Sequence, residues 1–257
     1  MVNKLKTSEI KSYVNANIGK FHEAKLKSLE TMDLDAILKR KNPYLFRAKN
    51  ITRASDLIDE LMSAFLSSSE EKLFGDFLEG LAIFVASRVY DGRKSAATGV
   101  DLEFDKGGMR YVVSVKSGIS WGNSSQHKKL EEDLKTAVRV LKQSTHALNV
   151  QPVLGICYGK VKTSYVRNYM KVVGQNFWFL LSGEKGFYVD IIEPLGYKAK
   201  EHTERFLKKR DALVNEFTGG MIARFCVNGE IDWKKVVEFN SGNFKVGDMS
   251  LVAKENP

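Results

Sequence analysis

The sequence predicts an α/β fold with helical flanks, and three patterns along the chain point to it. Leu57, Ile58, Leu61, Met62 and Phe65 recur at helical spacing. Apolar and acidic residues alternate through Gly99-Val100-Asp101-Leu102-Glu103-Phe104. The turn Asp105-Lys106-Gly107-Gly108 follows, then a Tyr- and Val-rich run from Met109 to Lys116, which together read as a β-hairpin. An amphipathic helix from Gln126 to Gln143 carries Leu130, Leu134, Ala137, Val138 and Leu141 on one face. It leads into the apolar run Pro152 to Tyr158, a buried-strand pattern. Hairpin, helix and strand in that order make an α/β core.

The remaining elements follow in chain order. Residues 1–66 read as mostly helical. Ser68, three residues before Glu71, gives a capping box, and a second helix is expected from about Lys72 to Tyr90. Its centre, Phe77 to Ala86, is apolar nearly all round apart from Glu79, as in a buried helix. Phe177 to Leu181, Phe187 to Ile192 and Glu201 to Phe217 read as further elements, the last helical. Glu230 to Phe239 fits either a strand or a helix. With four prolines and no linker-like stretch, one continuous domain over 1–257 is expected. It comprises a helical segment 1–66, a core 67–195 and a C-terminal segment 196–257.

Composition narrows the function classes. A chain that is 43% hydrophobic can bury a sizeable core, and its net charge of +9 suits a polyanionic partner, or simply a basic protein. Cys157 and Cys226 are too few for a disulfide framework and sit in apolar runs, as buried free thiols in a reducing cytoplasm would. The four histidines lack zinc-ligand spacing. The N-terminus lacks the apolar segment of a signal peptide, and no apolar run approaches the roughly 20 residues of a membrane span. A cytoplasmic location without membrane attachment is the expectation.

Period-two alternation puts Asp101 and Glu103 on one strand face and Val100, Leu102 and Phe104 on the other. On the second strand Ser114 and Lys116 share a face. Pairing through the Gly107-Gly108 turn can bring Asp101 close to Ser114 and Lys116. A carboxylate beside a lysine suits phosphodiester hydrolysis: the carboxylate holds Mg²⁺, while the amine orients or deprotonates water and offsets charge at phosphorus. A hairpin with one wet face would show the same alternation. Glu79 is the lone charge in its stretch, among Gly75, Ala82, Ile83 and Ala86. An isolated buried charge is costly, so it must hold a metal or be paired, for instance with Arg88, unless it lies on an exposed strip of a partly buried helix.

These strings resemble a known family. Gly75-x-x-x-Glu79 on a helix, then Gly99-Val100-Asp101 and Ser114-Val115-Lys116 in a hairpin, look like the PD-(D/E)xK nuclease core. Within it the chain is similar to type II restriction endonucleases of the PmeII-like group. Supporting strings are Asn42-Pro43-Tyr44-Leu45-Phe46, Trp121-Gly122-Asn123-Ser124-Ser125-Gln126, Gly174-Gln175-Asn176-Phe177-Trp178 and Ile192-Glu193-Pro194-Leu195-Gly196. The resemblance covers about residues 40–240. It implies a mixed central sheet flanked by helices, with helical N- and C-terminal additions, and Mg²⁺-dependent cleavage of double-stranded DNA. Asp101 would be the central metal ligand, Lys116 the motif lysine and the Val115 carbonyl a further ligand. The motif's second acid falls on Ser114, so the missing charge would come from Glu79 or Glu103.

The polar segment 117–126 either contacts DNA or caps the following helix with Trp121 packed inward. As a DNA contact it would use Ser117, Trp121, Asn123, Ser124, Ser125 and Gln126, with Lys128 and Lys129 beside them on phosphates or on a solvated helix face. The basic cluster Lys198, Lys200, Arg205, Lys208, Lys209 and Arg210 is interleaved with acids and reads as a solvated face. One chain has one set of Asp101, Lys116 and Glu79, so a palindromic site calls for a homodimer. Leu57, Leu61, Phe65, Phe206 and Leu213 could form its interface, or pack inside their own subunit.

Overall fold

The computed structural model describes residues 4–144 and 149–245. Helices α1 (Thr7–Glu30), α2 (Leu34–Arg40), α3 (Pro43–Ala48) and α4 (Ala54–Tyr90) precede the strands β1 (Arg93–Lys94), β2 (Leu102–Lys106) and β3 (Met109–Lys116). Then come α5 (Ser124–Ser144), β4 (Asn149–Ile156), β5 (Ser164–Val166), β6 (Tyr169–Val173) and α6 (Gln175–Ser182). The chain continues through α7 (Phe187–Asp190), α8 (Ile192–Leu195), α9 (Ala199–Phe225), β7 (Cys226–Val227), β8 (Glu230–Ile231) and α10 (Trp233–Ser241). Two compact units result, Met1–Ala24 with Glu71–Lys200 and Lys25–Glu70 with Glu201–Pro257. The part of α1 up to Ala24 groups with the sheet.

The first unit holds a mixed sheet in the order β1-β2-β3-β4-β6-β5. β1, β2 and β3 pair antiparallel, β3, β4 and β6 run parallel, and β5 returns antiparallel on β6. Strand alternation sorts β3 between two cores: Val113 and Val115 pack with Leu78, Leu81, Ala82 and Val85 of α4, and Val112 packs with Leu130, Leu134 and Ala137 of α5. A fully buried Leu or Val side chain contributes about 1.5–3 kcal/mol, so these two layers hold the sheet in place. Gly92, just past α4, admits close approach, since a Cβ there would lie 2.9 Å from that of Phe104.

The second unit packs α2, α3, the first part of α4, α9 and α10 around Leu29, Ile37, Leu57, Ile58, Leu61, Met62 and Met221. Asp33, Asn42 and Asp232 cap α2, α3 and α10 by accepting backbone N–H groups of the first turn.

Several expectations change. No helix starts at Ser68: α4 runs on through the serines, and the Ser68 hydroxyl donates back to the Ala64 carbonyl instead of capping. Val100 does not share the face of Leu102 and Phe104. Gly99 has φ +74° and Val100 N–H bonds to Ala97, so the chain turns there and Val100 packs toward α5. Glu230 to Phe239 is both strand and helix, β8 followed by α10. Cys157 is buried and Cys226 half-buried, and both are free. Leu57, Leu61 and Phe206 are buried within their own chain and are not open interface positions, while Phe65 and Leu213 pack on the same cluster and stay partly exposed. Among the described residues no helix is long and apolar enough to cross a membrane.

Candidate active site

The β2–β3 ladder stops at the pair Leu102–Val113, and the next residue up is Asp101. Its N–H bonds to the Val113 carbonyl at 2.9 Å, while its Oδ2 accepts the Val115 N–H at 2.7 Å and the Ser114 hydroxyl at 3.4 Å. A side chain thus stands in for the missing strand neighbour. The N–H and C=O of one strand residue project the same way. The Val115 carbonyl therefore points into the same gap as the Asp101 carboxylate. Ser114 is 1% exposed, buried on the α5 side.

Glu79 reaches this end of the sheet from α4. It is half-buried and pairs with Lys94 of β1 at 3.4 Å, whereas Arg88 turns away to Glu9. Burial pushes the Glu79 carboxyl above its ordinary pKa, the charge of Asp101 pushes it further, and Asp76 adds to this, with Lys94 in opposition. The same burial, aided by Glu79, drives the Cys157 thiol far above its ordinary value, which makes it an inert core group.

Glu79, Val115 and Lys116 line one cleft of about 650 Å³, together with Glu71, Lys72, Asp76, Ser117, Trp121 and Tyr158. Asp101 and Ser114 do not line it, but Asp101 is joined to it through the Val115 N–H and its charge is felt by Glu79. Glu103 is elsewhere: it pairs with Arg93 at 2.9 Å and lines a separate cavity with Ser95, Thr98 and Asp133. The structure therefore brings together Asp101, Glu79, Val115 and Lys116, and leaves Glu103 out.

The segment 117–126 is largely a helix-capping loop. Asn123 accepts the Ser125 and Gln126 N–H groups at 3.1 Å, and Gln126 accepts the Asn123 N–H at 2.9 Å, a reciprocal cap that uses the acceptors of both side chains. Trp121 is half-buried, its ring on His127 and the Lys116 ammonium 5.6 Å from a Trp121 ring centroid. That contact steadies Lys116, which has no ion pair among the described residues. Ser124, Lys128 and Lys129 are exposed, with Lys129 turned to Asp133 at 3.4 Å.

Lys72, Asp76, Lys94 and Tyr158 were not singled out from sequence. Lys72, Gly75, Asp76 and Glu79 recur at helical spacing, so Lys72 and Asp76 come within reach once α4 is seen to be unbroken. Tyr158 follows from the parallel pairing of Lys116 with Ile156, which makes β3 and β4 end together.

Among the described residues no group of three His, Cys, Asp or Glu is close enough to hold a metal. Two carboxylates and a backbone carbonyl nevertheless fit a hard cation that binds through one or two carboxylates and keeps its waters, as Mg²⁺ does. The upward push of Asp101 on Glu79 is the repulsion that such a cation would relieve.

Residues 8–203 match the family model described as Type II restriction endonuclease EcoO109I. That stretch includes residues 79, 101, 114, 115 and 116 and takes up well over half of the 257 residues. The family reached is that of EcoO109I, where the sequence strings had pointed to the PmeII-like group. No curated protein matches the chain.

Proposed function

Because the chain belongs to the EcoO109I family of type II restriction endonucleases, we propose that it cleaves double-stranded DNA at a short, specific, palindromic sequence in a Mg²⁺-dependent reaction on a PD-(D/E)xK core. The observation that carries the reading is one cleft end at which Glu79, the Val115 backbone and Lys116 meet, with Asp101 bound to Val115 N–H.

Mg²⁺ bound there would polarise the phosphate and lower the pKa of a bound water. Asp101 and Glu79 would hold the ion, with the Val115 carbonyl as a neutral third donor. As an ammonium Lys116 would orient the attacking water and offset the charge building on the phosphate oxygens, and as a neutral amine it would take the water's proton. Ser114 supplies a hydrogen bond to Asp101 in place of the motif's second carboxylate, and Glu79 supplies the charge.

Incubating supercoiled plasmid with the protein, with and without Mg²⁺, tests this. Discrete fragments that require Mg²⁺ are expected. A smear would replace site-specific cutting with a general nuclease, and intact plasmid under all conditions would leave a DNA-binding protein without the chemistry.

A further inference from the structure

Between Asp133 and Glu184 the sequence has no carboxylate, in a chain that otherwise carries 31 acidic residues in 257. Part of that stretch leaves the sheet beside the cleft. β3, β4 and β6 run parallel, Lys116 opposite Ile156 and Ile156 opposite Val173, so the chain emerges from all three at one edge. The three exits are closely interleaved. A Cβ on Gly118 would meet the Tyr158 ring at 2.6 Å, one on Gly159 would meet Ile119 at 2.5 Å, and one on Gly174 would meet the Gly159 carbonyl at 2.7 Å. The segment that follows Tyr158 therefore starts from a fixed base on the cleft wall.

From there residues 159–163 run without helix or strand, and β5 and β6 form a hairpin through Arg167 and Asn168. Lys160 and Lys162 are exposed, and neither has an ion-pair partner among the described residues. Arg167 by contrast is held by Glu131. On a solvated face such as that of α9, lysines alternate with Glu201, Glu204 and Asp211, whereas here no acid is interleaved. At no more than about 3.6 Å per residue, Lys162 lies within about 14 Å of Tyr158 along the chain, a distance of about four base-pair steps of duplex rise.

We propose that the segment 159–168 is an arm that seats the DNA backbone beside the cleft, with Lys160 and Lys162 on phosphates flanking the one to be cut. It rests on the nuclease reading and adds where the duplex lies. Contacts to phosphate fix position and carry no sequence information, so the arm serves all DNA sequences alike.

The test is binding of a short random-sequence DNA duplex by fluorescence anisotropy in EDTA, between roughly 50 and 200 mM salt. Removing one lysine–phosphate pair reduces the slope of log affinity against log salt by about 0.9, so K160E/K162E should lower it by about two and weaken binding at least about tenfold. K160Q/K162Q, with the wild-type melting midpoint, should show a similar drop in slope. R139E/K142E reverses two exposed charges in the last turns of α5, which return the chain to the opposite edge of the sheet, and should bind like wild type. Lysine variants that keep the wild-type slope would overturn the arm, and so would an equal weakening in R139E/K142E. Wild-type protein that binds no duplex would instead overturn the nuclease reading beneath it.

Discussion

At the residue scale, Asp101 serves the backbone as well as the chemistry. It accepts the N–H of Val115, which is buried, so Asp101→Ala would leave that donor unpaired at about 1–3 kcal/mol. Asp101→Asn keeps an acceptor and removes only the charge. Plasmid cleavage by Asp101→Asn and by Lys116→Ala should fall by orders of magnitude with the melting midpoint little changed, and near-normal cutting by either would remove that residue from the site. Glu79 behaves differently. Its folded-state pKa is raised, so ionisation favours the unfolded chain, and stability is highest below the ordinary glutamate pKa and falls as pH rises through the raised value. Metal-free Glu79→Gln should therefore melt above wild type at neutral pH, a difference that closes in acid, while its cleavage is far weaker than that of Ser114→Ala. A dead Ser114→Ala beside an active Glu79→Gln would reverse the assignment of the missing charge. The alternation of the hairpin made Asp101, Ser114 and Lys116 legible in the sequence. Glu103 was included by the same alternation, yet Arg93, its partner on a two-residue strand, carries no periodic signal.

At the element scale, α4 and α5 are visible because their apolar faces repeat with the helical period; the start of α4 is not, while α5 begins two residues before the expected Gln126. The Ser67-Ser68-Ser69 run imitates a cap in sequence, yet it lies inside α4, between the buried residues Leu66 and Phe77. The true cap at Asn123 was one of two readings of the polar loop. Asn123→Ala should cost about 1 kcal/mol of stability by thermal melting and leave most cleavage intact. A loss of cleavage with unchanged stability would return Asn123 to the DNA surface. β5 and β6, three and five residues long, passed unread because neither strand is long enough to show a clear alternation.

At the scale of the whole molecule, a palindromic site still asks for two copies of the cleft. Sedimentation equilibrium should give about twice 29.0 kDa, and a mass near 29.0 kDa with and without cognate DNA would exclude a homodimer. The candidate interface positions read from sequence could not be told from core, because helical spacing marks a buried face without saying what covers it. The sheet adds a constraint of its own. Its two margins are β1, two residues with Arg93 and Lys94 exposed, and β5, three residues long. Short or charged margins offer too little free backbone to template a neighbouring strand. The protein should therefore resist fibrillar aggregation through this sheet when concentrated, and a second copy that binds is not expected to extend the six-stranded sheet from one subunit into the next.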